Sequence, residues 1–332
     1  MGGWIPPNIP FAIGLLFVTM ICWGSWANSM KKIEKWRLES YYLTYAIGLV
    51  IFSAIYLLTL GAITTNGLTA FSANAEAGIS NIAYAFIGGI LWNLGNILLI
   101  FAIAMVGFAF AFPVGVGLAL VVGSVLSYLV APHGVAWLEF SGLALIIFAI
   151  ASEATAYNLK NKQNEKVSVE VKKGLIFSIF GGILIGTFPS AFALSIKGSA
   201  PLDSYGATLF LTLGALLSSV VVIPILMKKP LIEGQKSIDI SNWLRGKPKW
   251  HMWALAGALA WTTGTVFDFI SAPIAGVTIS YILGQAATMV GAIWGIFVWK
   301  EMKGAPTKSW ILVCMMFVFF VAGIVLTILA AK

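Results

Sequence analysis

Two hydrophobic segments of the chain place hydrogen-bonding side chains beside tryptophan. In the first, Trp92 is followed by Asn93 and Asn96. The two asparagines are three residues apart, so on a helix their amides share one face. Amides supply directed hydrogen bonds and an indole ring covers a flat or apolar surface, a combination that suits a small neutral polar ligand. Pairing of neighbouring helices by the two amides is the alternative role.

The second segment adds a carboxyl group to the same pattern. Trp261, Thr265 and Asp268 follow one another at intervals of four and three residues, which places them on one stripe of a helix. Asp268 is the only acid well inside a hydrophobic segment, and no Lys or Arg occurs in the interior of such a segment. An acid without a cationic partner in a membrane suits a proton or ligand site. A structural, hydrogen-bonded role for Asp268 stays open.

Similar polar and aromatic side chains recur in other hydrophobic segments. Because the membrane interior holds no water, such side chains turn towards protein or a wet cavity. Threonine hydroxyls that bond a preceding carbonyl of their own helix would be structural instead. The residues predicted to bind the ligand are Trp23, Ser25, Trp26, Asn28, Trp92, Asn93, Asn96, Thr187, Ser190, Trp261, Thr262, Thr265, Tyr281 and Gln285, and Asp268 is the predicted proton-coupling residue.

The composition indicates that a membrane surrounds these side chains. Of the 332 residues, 60% are hydrophobic and 10% are charged, with a mean hydropathy of +0.95. Soluble domains carry about 25% charged residues. Hydrophobic runs of about 20 residues recur along the chain, and this length crosses a bilayer as a helix. The predicted spans are 9–29, 42–61, 82–104, 107–130, 136–157, 174–196, 204–227, 252–272, 276–299 and 309–330.

Positively charged residues fall almost entirely on one side of this ten-span arrangement. The loops after spans 1, 5, 7 and 9 contain 18 of the 20 Lys and Arg residues, and only Lys197 and Lys332 fall on the other side. The positive-inside rule then predicts that the odd-numbered loops are cytoplasmic and that both termini are extracytoplasmic. These loops also account for the net charge of +8, which therefore does not indicate a nucleic-acid partner.

No pattern of residues indicates an enzyme. His133 and His251 fall in loops or at span ends, and the chain lacks paired carboxylates, a metal-ligand cluster, a nucleophile–base pair and a phosphate-binding loop. The two cysteines fall within spans and predict neither a disulfide framework nor a metal site. We therefore expect no cofactor and no metal, with a proton or sodium gradient as the driving force.

The two halves of the chain resemble each other. A shift of 169 residues places "LWNLGN" over "AWTTGT", pairing Trp92 with Trp261 and Gly107 with Gly276. At another shift "WGSWANS" aligns with "IGTFPSA", so that Trp26 meets Phe188. Each half holds five spans, an odd number, so the second half is inverted relative to the first. The pattern predicts an all-α polytopic membrane protein of two inverted five-helix repeats, which is typical of secondary transporters with the ligand between the repeats.

This division predicts three regions. Residues 1–157 form the first five-helix repeat, 158–173 a cytoplasmic linker and 174–332 the second five-helix repeat.

The chain resembles the drug/metabolite transporter superfamily, whose members have ten spans in two repeats of the EamA-like fold. "KKIEKW" followed by Glu39, and "LWNLGNI" at 91–97, are similar to L-rhamnose–proton symporters. "IGTFPS", "HMWALAGALAWTTG" and "WGIFVWKEMKG" resemble motifs of ureide permeases, and bacterial glucose-uptake porters are looser relatives. The chain departs from the ureide permeases at Asp268, where their motif has an amide, and at Thr265, where it has asparagine. Loop 5 is also short and lacks their phosphate-loop-like motif. The identity of the substrate is therefore not carried over.

The resemblance implies proton-linked uptake of a monosaccharide such as a deoxyhexose, or of a ureide or nucleobase. We expect an inner-membrane secondary transporter that works by alternating access, as a monomer in the lipid bilayer, on a small-molecule substrate. A drug or metabolite exporter of the same superfamily, a passive facilitator and a non-transporting scaffold are the alternatives.

Overall fold

The computed structural model describes residues 2–33, 36–64, 67–161, 169–300 and 302–331. The regular secondary structure of these residues is helical. The α-helices are α1 (Ile9–Ser25), α2 (Leu38–Leu58), α3 (Ala70–Ala75), α4 (Ile79–Val106), α5 (Phe108–Val130), α6 (Ala136–Asn161), α7 (Val169–Ile185), α8 (Phe188–Ser195), α9 (Ser204–Lys228), α10 (Ile240–Leu244), α11 (Pro248–Ala275), α12 (Val277–Gln285), α13 (Ala287–Ile293) and α14 (Thr307–Ala330).

Nine helical segments of the described residues are long and apolar enough to cross a membrane, so the chain is a multi-pass membrane protein. The remaining predicted span, 252–272, lies within α11, which is 28 residues long but is not among the nine. Tryptophans, threonines and Asp268 make α11 less apolar than the other spans. It packs against α1, α2 and α12. The count of ten spans stays a prediction.

Helices α4 and α11 correspond to each other as the repeat predicts. Each has 28 residues, and each is separated from the next helix by a single glycine, Gly107 or Gly276. These glycines have φ angles of 88° and 95°, a conformation that a residue with a Cβ rarely adopts. The chain can therefore change direction at both points without a longer loop.

The two long helices pack mainly against the opposite half of the chain. α4 packs against α7, α8 and α9, whereas α11 packs against α1 and α2. At the periphery α6 packs against α14. This reciprocal packing accords with two related halves, and their inverted relation stays a prediction.

Three of the predicted spans are interrupted helices. The first continues beyond α1 as a 3-10 turn over Trp26–Lys32. Span 174–196 breaks between α7 and α8, where Pro189 lies in the first turn of α8. Span 276–299 breaks between α12 and α13 and ends in a π-helical turn, Trp294–Val298. Helix breaks in transporters commonly border the binding site.

The linker predicted at 158–173 overlaps the end of α6 and the start of α7. Its central part, residues 162–168, lies outside the described residues.

Candidate functional site

A small cavity lies between helices of the two halves. Its volume is about 40 Å³, which has room for about three water molecules at roughly 10–15 Å³ each. A monosaccharide does not fit in this volume, and we call this arrangement the closed state. The lining residues are Trp23, Trp26, Trp92, Asn96, Leu99, Phe112, Val116, Ile185, Phe188, Trp261, Gln285 and Ala287.

Three of the four lining tryptophans contact one another. The rings of Trp92 and Trp261 have centroids 4.1 Å apart, and those of Trp23 and Trp261 are stacked at 6.5 Å. The indole Nε1 of Trp23 donates to the carbonyl of Trp261 and to Oγ1 of Thr265, both at 3.3 Å. Gly264 permits this approach, because a Cβ at that position would lie 2.6 Å from Cδ1 of Trp23. Trp261 and Thr265, which lie on one stripe of α11, thus hold Trp23 in place.

Phe188 extends the aromatic wall and was not predicted as a site residue. Its ring meets Trp23 edge-on at 5.9 Å and Tyr281 edge-on at 5.4 Å. The sequence signal for it was present, because the repeat aligns Phe188 with Trp26. Tyr281 does not line the cavity; it supports Phe188 and donates its hydroxyl to the carbonyl of Ala119 at 3.0 Å.

The two asparagines of α4 have different surroundings. Asn96 lines the cavity and donates from Nδ2 to the hydroxyl of Tyr42 at 2.9 Å. Asn93 lies behind it, accepting from the same Tyr42 hydroxyl at 2.8 Å and donating to two serines of α9. Tyr42 was not predicted, because it stands among other tyrosines near the start of α2 with no spacing that sets it apart.

Three other predicted residues lie outside the cavity lining. The hydroxyl of Thr187 donates to the carbonyl of Leu184, and that of Ser190 donates to the carbonyl of Thr187, both at 2.7 Å. Thr262 is fully buried and its hydroxyl has no hydrogen-bond partner in the described part of the chain. In this closed state none of the three is presented to the cavity.

Ser25 and Asn28 do not line the cavity, and they bind Trp294, the first residue of the π-helical turn, and Trp299, the residue after its end. Trp294 donates from Nε1 to Oγ of Ser25 at 2.9 Å, and Trp299 donates from Nε1 to Oδ1 of Asn28 at 2.7 Å. The ammonium group of Lys31 lies 4.3 Å from the Trp299 ring centroid, a cation–π contact. We call these three contacts the indole latch. They join the end of the first span to the end of the π-helical turn on the lysine-rich side of the protein.

Asp268 lies outside the cavity lining, seven residues along α11 from Trp261, or about 10 Å along the axis. It is 3% exposed, and its Oδ1 has no hydrogen-bond partner among the described residues. It lies close enough to Tyr281 to interact with it electrostatically. The structure therefore gives it no cationic partner within the described residues, and its role in proton coupling stays a prediction.

The sequence model of a protein family, described as sugar transport protein, matches residues 15–330. The chain belongs to this sugar transport protein family. Ureide permease 1 of Arabidopsis thaliana is 22% identical over 94% of this chain and 95% of its own length. Glucose uptake protein GlcU of Bacillus subtilis (strain 168) is 23% identical over 74% of this chain and 78% of its own.

A solved crystal structure also superimposes on this member of the sugar transport protein family. Its TM-score is 0.57 at 13% identity, and the match covers 95% of this chain and 97% of that one. At this identity the likeness shows the fold alone. The named relatives are permeases and uptake proteins, so the prediction of a membrane transporter rather than an enzyme is confirmed. The resemblance to sugar and ureide transporters is confirmed as well.

Proposed function

We propose that this protein imports a small neutral polar solute, a monosaccharide or a ureide or nucleobase, through the cavity between its halves. The lining of the cavity is the observation that carries the proposal. Tryptophans make up four of its lining residues, Asn96 and Gln285 supply amide groups, and none of the described lining residues carries a charge. Rings that cover apolar faces, with a few amides for hydroxyl or N–H groups, match a neutral polar solute.

The names of the relatives support the same two classes of solute. A glucose uptake protein is related over three quarters of the chain, and ureide permeases are related over nearly all of it. We therefore include both sugars and ureides in the proposal.

Alternating access is the proposed mechanism, and the closed cavity supports it. Solute can enter only if helices separate on one side or the other. The indole latch closes the lysine-rich side. On the opposite side Asn81 donates from Nδ2 to the carbonyl of Ser195 at 2.8 Å, and Lys197 donates from Nζ to the carbonyl of Val130 at 2.8 Å. Each side is thus held by its own contacts, which can open in turn as the two inverted repeats rock about the site.

Proton coupling through Asp268 is a further part of the proposal. A buried carboxyl group without a cationic partner is the kind of group that exchanges protons in membrane transporters. Its closeness to Tyr281, which supports the aromatic wall, would link its protonation to the shape of the cavity. The proposed setting is the inner membrane, with a monomeric chain whose termini are extracytoplasmic and whose lysine-rich loops are cytoplasmic.

Uptake by the purified protein in proteoliposomes tests the function. We expect labelled D-glucose, L-rhamnose, allantoin or uracil to accumulate above the external concentration when the lumen is made alkaline. Equilibration without accumulation would instead indicate a passive facilitator. Transport of a lipophilic cation such as tetraphenylphosphonium, with no movement of the four neutral solutes, would overturn the proposal in favour of an exporter.

A further inference from the structure

A chain of hydrogen bonds runs from α9 through α4 and α2 to the cavity. It starts at Ser218 and Ser219, passes through Asn93 and Tyr42, and ends at Asn96. Every member is buried, with exposed fractions between 0% and 8%. Because these side chains are buried and bond one another, the number of protons on each side chain decides the direction of each hydrogen bond.

The serines fix the orientation of the first amide. The hydroxyl of Ser218 donates to the carbonyl of Gly214 at 2.9 Å, and that of Ser219 donates to the carbonyl of Ala215 at 2.8 Å. Each hydroxyl has a single proton, so towards Asn93 both can only accept. The atom of Asn93 that lies 2.9 Å from each serine oxygen is therefore the amide nitrogen. The carbonyl oxygen of this amide must point the other way.

Tyr42 sets the orientation of the Asn96 amide, which lines the cavity. Its hydroxyl lies 2.8 Å from Oδ1 of Asn93 and donates its one proton there. Towards Asn96 the tyrosine oxygen can then only accept, so the atom of Asn96 at 2.9 Å is the amide nitrogen. The hydroxyl of Tyr45 is also close to Asn96 and has no other hydrogen-bond partner among the described residues. The carbonyl oxygen of Asn96 has two lone pairs, so one stays open to the cavity even if Tyr45 donates to the other. No other group among the described residues donates to Oδ1 of Asn96.

We infer that Asn96 presents its carbonyl oxygen to the solute, that Tyr42 is the positioning residue that fixes it, and that the solute donates a hydrogen bond at this point. This inference rests on the proposed function of the cavity and adds a chemical requirement on the solute. Sugar hydroxyls and the N–H groups of ureides or nucleobases meet the requirement. Ethers, carboxylates and quaternary ammonium ions do not, because they have no proton to donate.

Analogues that lack one donor test the inference on the unmodified protein. The probes are D-glucose and its monodeoxy and monodeoxyfluoro derivatives, with affinities measured by calorimetry on the detergent-solubilised protein. Fluorine can accept weakly but cannot donate. At the hydroxyl that meets Asn96, we expect the deoxy and deoxyfluoro compounds to lose affinity alike, by about tenfold. A deoxyfluoro compound that binds like D-glucose at every position would overturn the inference.

The substitution Tyr42→Phe tests the positioning role. The amide of Asn96 is then free to turn, so we expect the discrimination against the deoxyfluoro compound to fall about threefold or more. Tyr41→Phe is the matched control, because Tyr41 is also fully buried and its hydroxyl bonds Ser29 at 2.6 Å, away from Asn96. We expect this control to keep the wild-type discrimination. Wild-type discrimination in Tyr42→Phe would contradict the positioning role.

The outcomes separate this inference from the proposed function. Binding of D-glucose without donor discrimination leaves the proposed function standing and overturns the inference. Allantoin and its N-methyl derivatives form a second probe series with the same logic. If none of D-glucose, L-rhamnose, allantoin and uracil binds, both the proposed function and the inference fail.

Discussion

Trp92 and Trp261, which occupy corresponding positions in the two halves of the chain, meet with ring centroids 4.1 Å apart. One ring belongs to α4 and the other to α11, the two long helices that pack against the opposite half. Both rings line the same cavity. The point of contact between the halves is therefore also the wall of the candidate solute site, so a movement of one half against the other must change the shape of the site.

Trp261→Ala is predicted to weaken solute binding about tenfold, because it removes an aromatic surface worth roughly 1 kcal/mol or more and releases Trp23. The measurement is the half-saturation concentration for uptake of D-glucose or allantoin into proteoliposomes. Trp137→Ala is the control, since Trp137 is 69% exposed and is not among the residues that line the cavity. An equal effect of the two substitutions would argue against the site.

Asp268→Asn is predicted to uncouple transport from the proton gradient. The amide keeps the size of the side chain but cannot exchange a proton, so solute should still equilibrate and show counterflow without accumulating. Asp239→Asn is the control, because Asp239 is an exposed loop residue and asparagine can also cap the following helix. Accumulation by Asp268→Asn with an unchanged dependence on pH would show that the acid is structural.

Trp299→Phe is predicted to loosen the indole latch. The change removes the hydrogen bond to Asn28 but keeps an aromatic ring beside Lys31. One lost hydrogen bond of about 1 kcal/mol corresponds to a roughly fivefold rise in the open population. Hydrogen exchange of the backbone over Trp26–Lys32 should therefore quicken by about that factor. Trp310→Phe, at a half-exposed position of α14, is the control and should leave this hydrogen exchange unchanged. Unaltered exchange in Trp299→Phe would mean that the latch does not hold this side closed.

The stability of the protein should depend on pH through Asp203, which caps the start of α9. Its carboxylate accepts from the backbone N–H of Gly206 and from Nδ2 of Asn74, both at 2.7 Å, but its Oδ2 has no hydrogen-bond partner among the described residues. Burial raises the pKa of Asp203 from 3.8 to about 6 against the effect of these hydrogen bonds. The folded state therefore binds a proton that the unfolded state has lost, and stability falls as the pH rises from about 4 to 6.

The difference between the two pKa values of Asp203 corresponds to about 3 kcal/mol. Asp203→Asn keeps the helix cap and cannot ionise. At pH 7 its melting temperature should be higher than that of the wild type, and between about pH 4 and 6 its melting temperature should change less with pH. Melting curves at a fixed scan rate measure this. A wild-type pH profile in Asp203→Asn would rule out Asp203 as the titrating group.

The sequence predicted much of the site because the two halves match. Tryptophans at equivalent places in α4 and α11 are rare enough in an apolar chain to stand out, and both line the cavity. The same alignment pairs Val116 with Gln285, which also both line it. Helix spacing could not show which of Asn93 and Asn96 lines the cavity, since both lie on one face of α4. The difference comes from Tyr42 and the serines of α9, whose approach depends on packing between distant parts of the chain.

The sequence also predicted continuous helices where the structure has breaks. Unwinding at Gly186 and Thr187, and between α12 and α13, depends on how neighbouring helices support the freed backbone groups. Ser25 and Asn28 were assigned to the ligand by their polarity, and they instead accept hydrogen bonds from Trp294 and Trp299 in this closed state. Their part in solute binding stays a prediction for an open state.

Protection of a single cysteine by solute tests the central claim most directly, that solute occupies the cavity between the halves. Ala287 lines the cavity and is fully buried, so Ala287→Cys would be introduced after Cys22 and Cys314 are replaced by alanine. We predict that a transported solute slows labelling of Ala287→Cys by a small thiol reagent and does not slow labelling of Ser237→Cys in an exposed loop. Equal labelling of Ala287→Cys with and without a solute that is transported would contradict the claim.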